Sequence, residues 1–335
     1  MNAVMMNAAM KTTTLGPSGI QCSAIGLGTW AMGGWMWGGQ DSAAATEAIA
    51  ASLDAGVTLI DTAPAYGLGA SEQLVGAALK GRRHEAVIAT KCGLVWHTQR
   101  GTHFFDEDGH PVHRHLGRTS IFHEAEESLK RLQTDYIDLY ITHWQDSTTP
   151  VEETMDALLD LKKQGKIRAI GVSNVDAPTL AEYLRHGPVD AAQEGYSLID
   201  REIEQTLLPL CGRNNVAILG YSSLALGLLA GPIDPARQFT GDDQRASNPR
   251  FSAANRARLK AFFDELEPLR RQFGCSFGQL MIAWTLANGS VSVALCGART
   301  RSQATENATA GALELPEEAV QRIDDAASAH LKALA

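Results

Sequence analysis

The stretch from Val57 to Lys91 reads VTLIDTAPAYGLGASEQLVGAALKGRRHEAVIATK. It begins and ends with short apolar runs, Val57–Asp61 and Ala86–Lys91, which are too short for helices and are typical of buried parallel strands. The segment Ser71–Lys80 between them has a helical pattern. A strand, a helix and a second strand in this order predict a βαβ unit, in which the two strands lie parallel in one sheet.

The same unit recurs along the chain. Six further apolar runs predict strands at Ala24–Gly28, Tyr136–His143, Ile167–Val172, Val189–Gln193, Val216–Tyr221 and Val291–Cys296. The other helical patterns are Ser42–Ala55, Thr119–Gln133, Pro150–Gln164, Ala177–Arg185, Arg201–Arg213, Ala253–Gln272 and Ser276–Asn288. Eight units over about 270 residues favour an α/β fold of the closed (β/α)8 TIM-barrel type. No G-x-G-x-x-G motif follows the first strand, which counts against a Rossmann domain.

Several segments lie outside the repeated units. Met10–Ser23 contains Gly-Pro-Ser-Gly between two alternating runs, which predicts a β-hairpin that closes the N-terminal mouth of the barrel. Two connections, Cys92–Arg118 after the third strand and Ser222–Ser252 after the seventh, are too long for simple turns. We expect helices at the C-terminus, a flexible extension over residues 1–9 and a single barrel domain over residues 10–335.

Composition narrows the class of protein. The 335 residues include 29 Lys and Arg against 38 Asp and Glu, a net charge of −9, with 44% hydrophobic and 20% charged residues. These values are typical of a soluble globular protein, and the acidic balance argues against a nucleic-acid partner. No apolar run reaches the length of a membrane span, and we expect no secretory signal before Lys11, because that segment has no basic residue and no apolar core. Five scattered cysteines predict free thiols, and hence a cytoplasmic protein.

Chemically active side chains occur where predicted strands end. Asp61, Lys91 and His143 end the second, third and fourth strands, and Tyr66 follows the second. The carboxyl ends of barrel strands meet at one mouth, where active sites of this fold are built. Lys91 can neutralise Asp61, and a lysine beside Tyr66 is expected to lower the tyrosine pKa and so make it a proton donor. His143 can donate a hydrogen bond to a carbonyl oxygen, so the four residues predict a site that polarises C=O.

Five motifs in order resemble the aldo-keto reductase superfamily. They are LIDTAPAYG at 59–67, ATK at 89–91, ITHW at 141–144, GVSN at 171–174 and QEGYS at 193–197. The resemblance runs from about Lys11 to Asn307. GLGTWAMGGWMWGG and QGKIRAIGVSN are more similar to the bacterial general-stress and inositol-operon type branch than to the aldose-reductase branch.

The resemblance implies a function for the four residues. It implies a barrel that binds NADP(H) and reversibly reduces an aldehyde or ketone by hydride transfer. Tyr66 would be the general acid, Lys91 paired with Asp61 would tune it, and His143 would orient the carbonyl. The cofactor would supply the hydride, while the protein supplies position and electrostatics.

The resemblance also assigns cofactor contacts, position by position. At the nicotinamide end they are Gly28, Thr29, Trp30, Ser173, Asn174, Gln193 and Tyr221; along the pyrophosphate, Ser222, Leu224 and Arg245; at the adenosine, Gly297, Arg299, Gln303, Glu306 and Asn307. An arginine suits a 2′-phosphate, so Arg299 favours NADPH over NADH. The chain departs from the family at Ser223, where a proline is common, and at Pro232, where a phosphate-binding lysine is common.

The sequence leaves the identity of the substrate open. Trp30, Trp35, Trp37 and Trp144 are expected to wall a pocket for a small carbonyl compound, although core packing is the simpler role for each tryptophan alone. The histidines of Cys92–Arg118 match no zinc spacing, so we expect no metal and a solvated lid loop there. A homo-oligomer is left open.

Other functions compete with the reductase. Asp61 and Lys91 could form a purely structural ion pair, Ser173 and Asn174 could cap the following helix, and Tyr221 or Arg299 could have no functional role. The chain could also be an NADPH-binding regulatory or redox-sensing protein of the same fold with little turnover. A Schiff-base lyase that uses Lys91 is a third reading, against which the neighbouring Asp61 argues, because a cationic lysine is a poor nucleophile.

Overall fold

The computed structural model describes residues 10–332 and residue 334; the extension expected over residues 1–9 lies outside this part. Eight parallel strands close a barrel, each within two residues of its predicted ends. They are β3 (Ile25–Gly28), β4 (Leu59–Asp61), β5 (Val87–Cys92), β9 (Ile137–Thr142), β10 (Ile167–Ser173), β11 (Ala191–Gly195), β12 (Ala217–Tyr221) and β13 (Val293–Gly297). The last strand, β13, pairs with β3, which confirms the TIM barrel.

Helices cover the outside of the barrel. They are α1 (Ser42–Asp54), α2 (Ala70–Ala78), α3 (Arg118–Leu132), α4 (Val151–Lys163), α5 (Ala177–His186), α6 (Leu207–Arg213), α7 (Ala253–Phe273), α8 (Phe277–Ala287), α9 (Arg301–Ala310) and α10 (Glu317–His330). The segment predicted as one helix over Arg201–Arg213 begins instead with a 3-10 turn at Glu202–Glu204. A capping box between Ser276 and Gln279 starts α8.

A hairpin plugs the N-terminal end of the barrel, as expected. Strands β1 (Thr12–Leu15) and β2 (Ile20–Ser23) pair antiparallel around a turn in which Gly19 has a φ of 71°. Its apolar side chains Leu15, Ile20 and Cys22 are buried in one cluster with side chains inside the barrel, including Leu59 and Leu139. The opposite mouth, at the carboxyl ends of the strands, is thereby the one left for a site.

The connection after β5 is folded, and the expectation of a solvated lid loop is wrong. It forms a three-stranded antiparallel sheet of β6 (Leu94–Val95), β7 (Thr102–Glu107) and β8 (His110–Arg114), with β8 in the middle. Asp108 and Gly109 join β7 to β8, and both have positive φ, at 49° and 79°, which is typical of an Asp-Gly hairpin turn. Alternation along the strands then aims some side chains inward, and Val112 is fully buried.

The connection after β12 reaches across the mouth of the barrel. We call residues 239–246 the strap and residues 29–41, which follow β3, the tryptophan loop. The Asp242 carboxylate accepts hydrogen bonds from the Met36 N–H at 2.7 Å and the Gly38 N–H at 2.9 Å. The Gln244 N–H donates to the Met36 carbonyl at 3.1 Å. These bonds hold the strap against the tryptophan loop.

Two further features concern the chain as a whole. In residues 10–332 and 334, no helix has both the length and the apolar character needed to cross a membrane. All five cysteines are buried with free thiols, as the scattered spacing predicts.

Candidate active site

Four side chains meet at the carboxyl ends of β4, β5 and β9. Lys91 donates from Nζ to both carboxylate oxygens of Asp61, at 2.8 and 3.0 Å, and to the Thr62 carbonyl at 2.8 Å. Its fourth contact is the Tyr66 hydroxyl at 3.3 Å. The Tyr66 ring meets the His143 ring edge to face, with centroids 5.8 Å apart. The structure therefore brings together the four residues that the strand ends predict.

The electrostatics of Tyr66 differ from expectation. Burial, together with the negative charge of Asp61, raises the pKa of Tyr66 well above its ordinary value, so the predicted lowering by Lys91 is wrong. The physical reason is that the Lys91 charge is neutralised by Asp61, which it contacts more closely than it contacts Tyr66. Tyr66 is consequently protonated at neutral pH, which is the form that a proton donor needs.

Burial also sets the charge of the neighbouring groups. It lowers the pKa of Lys91, and the bonds to Asp61 oppose that shift. Burial, followed by the Lys91 charge, lowers the pKa of His143 well below its ordinary value, so the imidazole is neutral. Among the described residues, His143 Nδ1 has no hydrogen-bond partner although it is buried. A neutral imidazole can donate one hydrogen bond to a carbonyl oxygen.

A polar network from β10, β11 and β12 lines the same mouth. Gln193 donates from Nε2 to Asp61 Oδ1 at 2.7 Å, and Ser173 donates from Oγ to the Gln193 carbonyl at 2.7 Å. Asn174 bridges the Tyr221 hydroxyl, at 2.8 Å, and the His143 carbonyl, at 2.8 Å. Asn174 has a φ of 55°, a left-handed conformation that asparagine tolerates better than most residues. The network fixes the amide groups of this end of the site relative to Asp61.

One continuous cavity of about 880 Å³ joins these groups to the end of β13. It is lined by nearly all the residues assigned from the sequence, namely Gly28, Trp30, Trp35, Trp37, Asp61, Tyr66, His143, Trp144, Ser173, Asn174, Gln193, Tyr221, Ser222, Leu224, Arg245, Gly297, Arg299, Gln303, Glu306 and Asn307. Lys91 lies behind this surface. Thr29 also does not line it: its hydroxyl is fully buried and donates to the Asp61 carbonyl at 2.9 Å. The cofactor contact assigned to Thr29 stays a prediction, and its hydroxyl supports β4 in this structure.

The two arginines assigned to phosphates already have protein partners. Arg299 donates to the carbonyls of Trp37 at 2.8 Å and Gly39 at 2.7 Å, both in the tryptophan loop. Arg245 pairs with Asp243 at 2.6 Å, and its guanidinium lies over the Trp37 ring, 5.0 Å from the centroid. Within the described part of the chain, three of the five N–H donors of the Arg299 side chain have no acceptor.

Four aromatic side chains, Trp35, Phe104, Phe105 and Trp144, form a wall of the cavity, which we call the aromatic wall. The sequence predicted the two tryptophans and missed the two phenylalanines. Phe105 of β7 stacks on Trp35, with centroids 4.8 Å apart, and Phe104 packs on Trp144 at 5.2 Å. Both phenylalanines line the cavity. The Phe-Phe pair in an otherwise polar, histidine-rich connection was the signal that could have identified them.

No metal site accompanies this arrangement in the described residues, which contain no group of three or more His, Cys, Asp or Glu side chains arranged to hold an ion. Asp61, Lys91, Tyr66 and His143 form one cluster of chemically active side chains at the barrel mouth. The family model for the Aldo/keto reductase family matches residues 24–328, which is most of the chain. This chain belongs to the aldo-keto reductase family.

Individual proteins similar to this chain are also aldo-keto reductases or oxidoreductases by name. Aldo-keto reductase YhdN of Bacillus subtilis (strain 168) is 42% identical over 297 residues, covering 88% of this chain and 86% of the relative. The NADH-specific methylglyoxal reductase of Escherichia coli (strain K12) is 39% identical, covering 90% and 93%. The solved glycerol dehydrogenase AKR11B4 of Gluconobacter oxydans is 37% identical, covers 96% of both chains and superposes with a TM-score of 0.85.

Proposed function

We propose that this member of the family is an NADPH-dependent reductase of aldehydes or ketones, acting reversibly, with residues 10–335 as a single domain. The observation that carries the proposal is the position of the Tyr66 hydroxyl, which contacts Lys91 and faces the cavity beside His143. A reductase site needs a proton donor at the oxygen that accumulates negative charge, and Tyr66 meets that need.

The residues of the chain supply the proton, orient the carbonyl group and stabilise the charge that develops. When bound, the nicotinamide supplies the hydride that reduces the carbonyl carbon. Tyr66 donates its phenolic proton to the oxygen, and Lys91 stabilises the phenolate that is left, because its Nζ lies 3.3 Å from the hydroxyl. His143, as a neutral donor, orients the carbonyl oxygen toward Tyr66. Asp61 holds Lys91 in place through two hydrogen bonds.

The cavity fits a dinucleotide at its other end. The Ser173 hydroxyl and the amide side chains of Asn174 and Gln193 lie near Asp61 and His143, and Arg299, Gln303 and Asn307 line the far end. The free donors of Arg299 support a bound 2′-phosphate and thus NADPH. The methylglyoxal reductase relative is NADH-specific, so the nucleotide preference is the finer part of this proposal.

The geometry disfavours a Schiff base on Lys91. Its side chain is 1% exposed, and its Nζ already contacts Asp61, Thr62 and Tyr66. A nucleophilic amine needs a free lone pair and access to the substrate carbon, and this nitrogen has no such access.

The test is NADPH oxidation with benzaldehyde and with methylglyoxal as substrates. We expect Tyr66→Phe to reduce kcat by at least about 100-fold, because it removes the proton donor. The matched control is Tyr136→Phe, since Tyr136 immediately precedes β9 and its ring packs against the Arg83 guanidinium. Equal rates for wild type and Tyr66→Phe would overturn the assignment of the acid.

Two further outcomes separate the competing functions. NADPH binding without turnover of any carbonyl would favour the regulatory protein. Arg299→Gln is expected to reduce kcat/KM for NADPH by about tenfold with little effect on NADH, because only NADPH has a 2′-phosphate. An equal loss with both nucleotides would refute the role of Arg299 in selecting NADPH.

A further inference from the structure

The Arg114 guanidinium lies behind the aromatic wall. Arg114 ends β8, and its Cζ lies 4.0 Å from the centroid of Phe104 and 5.4 Å from that of Trp144. Within residues 10–332 and 334, its side chain forms neither an ion pair nor a hydrogen bond, and its Nε is buried. The two ring faces are therefore its main stabilising contacts, and a partly desolvated cation over aromatic rings is a favourable arrangement.

A second cavity lies on the other side of the wall. It has a volume of about 230 Å³ and is lined by Arg114, Gln145, Asp146 and Tyr183, among others. Phe104 and Trp144 line the large cavity, whereas Arg114 lines only the small one. The Arg114 side chain thus contacts both rings of the wall and also borders the smaller cavity.

We propose that Arg114 is a specificity-determining residue of the carbonyl pocket, acting through Phe104 and Trp144, and that the wall it fixes selects flat carbonyl compounds. The inference rests on the proposed reductase function. The aromatic faces of the wall offer stacking and apolar contact to a planar group. A substrate too small to reach the wall binds with the same affinity wherever the wall stands.

The position of Arg114 in the chain supports this role. Leu94 of β6 and Thr102 of β7 are its register partners, so Arg114 lies in the central strand of the sheet that carries Phe104. The side chain therefore couples that sheet to Trp144, which follows β9 of the barrel. Arg114 acts at a distance from the reacting atoms, so it is a positioning residue.

The experiment compares steady-state constants for benzaldehyde and methylglyoxal in wild type, Arg114→Met and Arg114→Lys. For Arg114→Met we expect KM for benzaldehyde to rise about tenfold, because the loosened wall no longer presents a fixed face to the ring. The kcat for benzaldehyde and both constants for methylglyoxal should stay within about twofold. Arg114→Lys keeps a cation over the rings and should restore most of the benzaldehyde KM.

A matched control uses an arginine that also lies over an aromatic ring but away from the cavity. Arg118 lies 4.9 Å from the centroid of Phe122 and pairs with Asp160, and Arg118→Met should leave the ratio of the two KM values unchanged. Equal changes for both substrates in Arg114→Met, or no rescue by lysine, would overturn the inference. Absence of turnover in wild type would refute the reductase itself, which is a separate result.

Discussion

Replacement of Asp61 by asparagine should destabilise the protein through Lys91. The two side chains are almost fully buried, with exposed fractions of 5% for Asp61 and 1% for Lys91. The substitution keeps the shape of the side chain but leaves the ammonium group without a counter-charge. Removal of one partner from a buried ion pair typically costs about 3–5 kcal/mol of unfolding free energy. For 335 residues, an unfolding entropy of about 2.1 cal/mol/K per residue converts this into a fall in Tm of roughly 4–7 °C.

The pH dependence of this loss has a definite sign. Asp61 raises the pKa of Lys91, so in its absence burial lowers that pKa further below the ordinary value of 10.5. Between the folded pKa and about 10.5, the unfolded chain binds one more proton than the folded chain. The stability of Asp61→Asn should therefore increase as pH rises toward that value, more steeply than in wild type.

A double-mutant cycle provides the assay. Urea unfolding, followed by circular dichroism, is measured for Asp61→Asn, Lys91→Met and the double variant. Because the double variant contains neither buried charge, it should recover more than half of the loss seen in each single variant, which for single losses of about 3–5 kcal/mol means a coupling energy of at least about 4.5 kcal/mol. Additive losses, or a Tm for Asp61→Asn within about 1 °C of wild type, would show that the pair is not coupled in this way.

Three other changes have defined outcomes. Gly76→Ala should cost about 1–3 kcal/mol by urea unfolding, since the added Cβ would lie 2.5 Å from the Arg131 carbonyl of α3. Glu194, whose pKa burial raises to about 8, should make wild-type stability fall as pH rises from about 4.5 to 8, and Glu194→Gln should lessen that fall, to which the raised pKa of Glu124 also contributes. Asp242→Ala should speed NADPH dissociation about tenfold in stopped-flow fluorescence, because the strap loses its two bonds to the tryptophan loop.

Each of these has a control within the chain. Gly212→Ala lies in α6 with nothing within 4 Å of the added Cβ, so it should stabilise by about 0.5–1 kcal/mol. Asp234→Ala removes a carboxylate that bonds the nearby Ala236 N–H, and should leave NADPH dissociation unchanged. The Glu194 reasoning fails if wild type and Glu194→Gln lose stability in parallel over that pH range.

The strand ends explain why so much of the site could be predicted. Asp61, Lys91 and His143 each end a short apolar run, and a parallel barrel brings all such ends to one mouth whatever the connections do. The phenylalanines of the aromatic wall were not predicted, because Phe104 and Phe105 belong to a small antiparallel sheet outside the barrel. Its strands pair with one another within the connection, and no barrel periodicity marks them.

The hydrogen-bond partners of Thr29, Arg245 and Arg299 could not be predicted from the sequence. Arg299 and Arg245 do line the cavity, yet their guanidinium groups bond to carbonyls of the tryptophan loop and to Asp243. A motif identifies a residue that faces a groove, but the partners of a long side chain depend on loops that are distant in sequence. The same holds for Arg114, whose ring partners come from β7 and from the end of β9.

The sequence by itself determined the barrel and the residues that meet at its mouth, because both follow from local periodicity and from where each apolar run ends. Only the tertiary structure decided the electrostatic state of those residues. The pKa of Tyr66 depends on burial and on the charge of Asp61, and Lys91 bonds the Asp61 carboxylate more closely than it contacts the Tyr66 hydroxyl. Tertiary contacts also decided the shape of the pocket, since the wall and strap join segments far apart in the chain. The protonation states and the shape of a site depend on which residues are close in space, and the order of residues alone does not specify those neighbours.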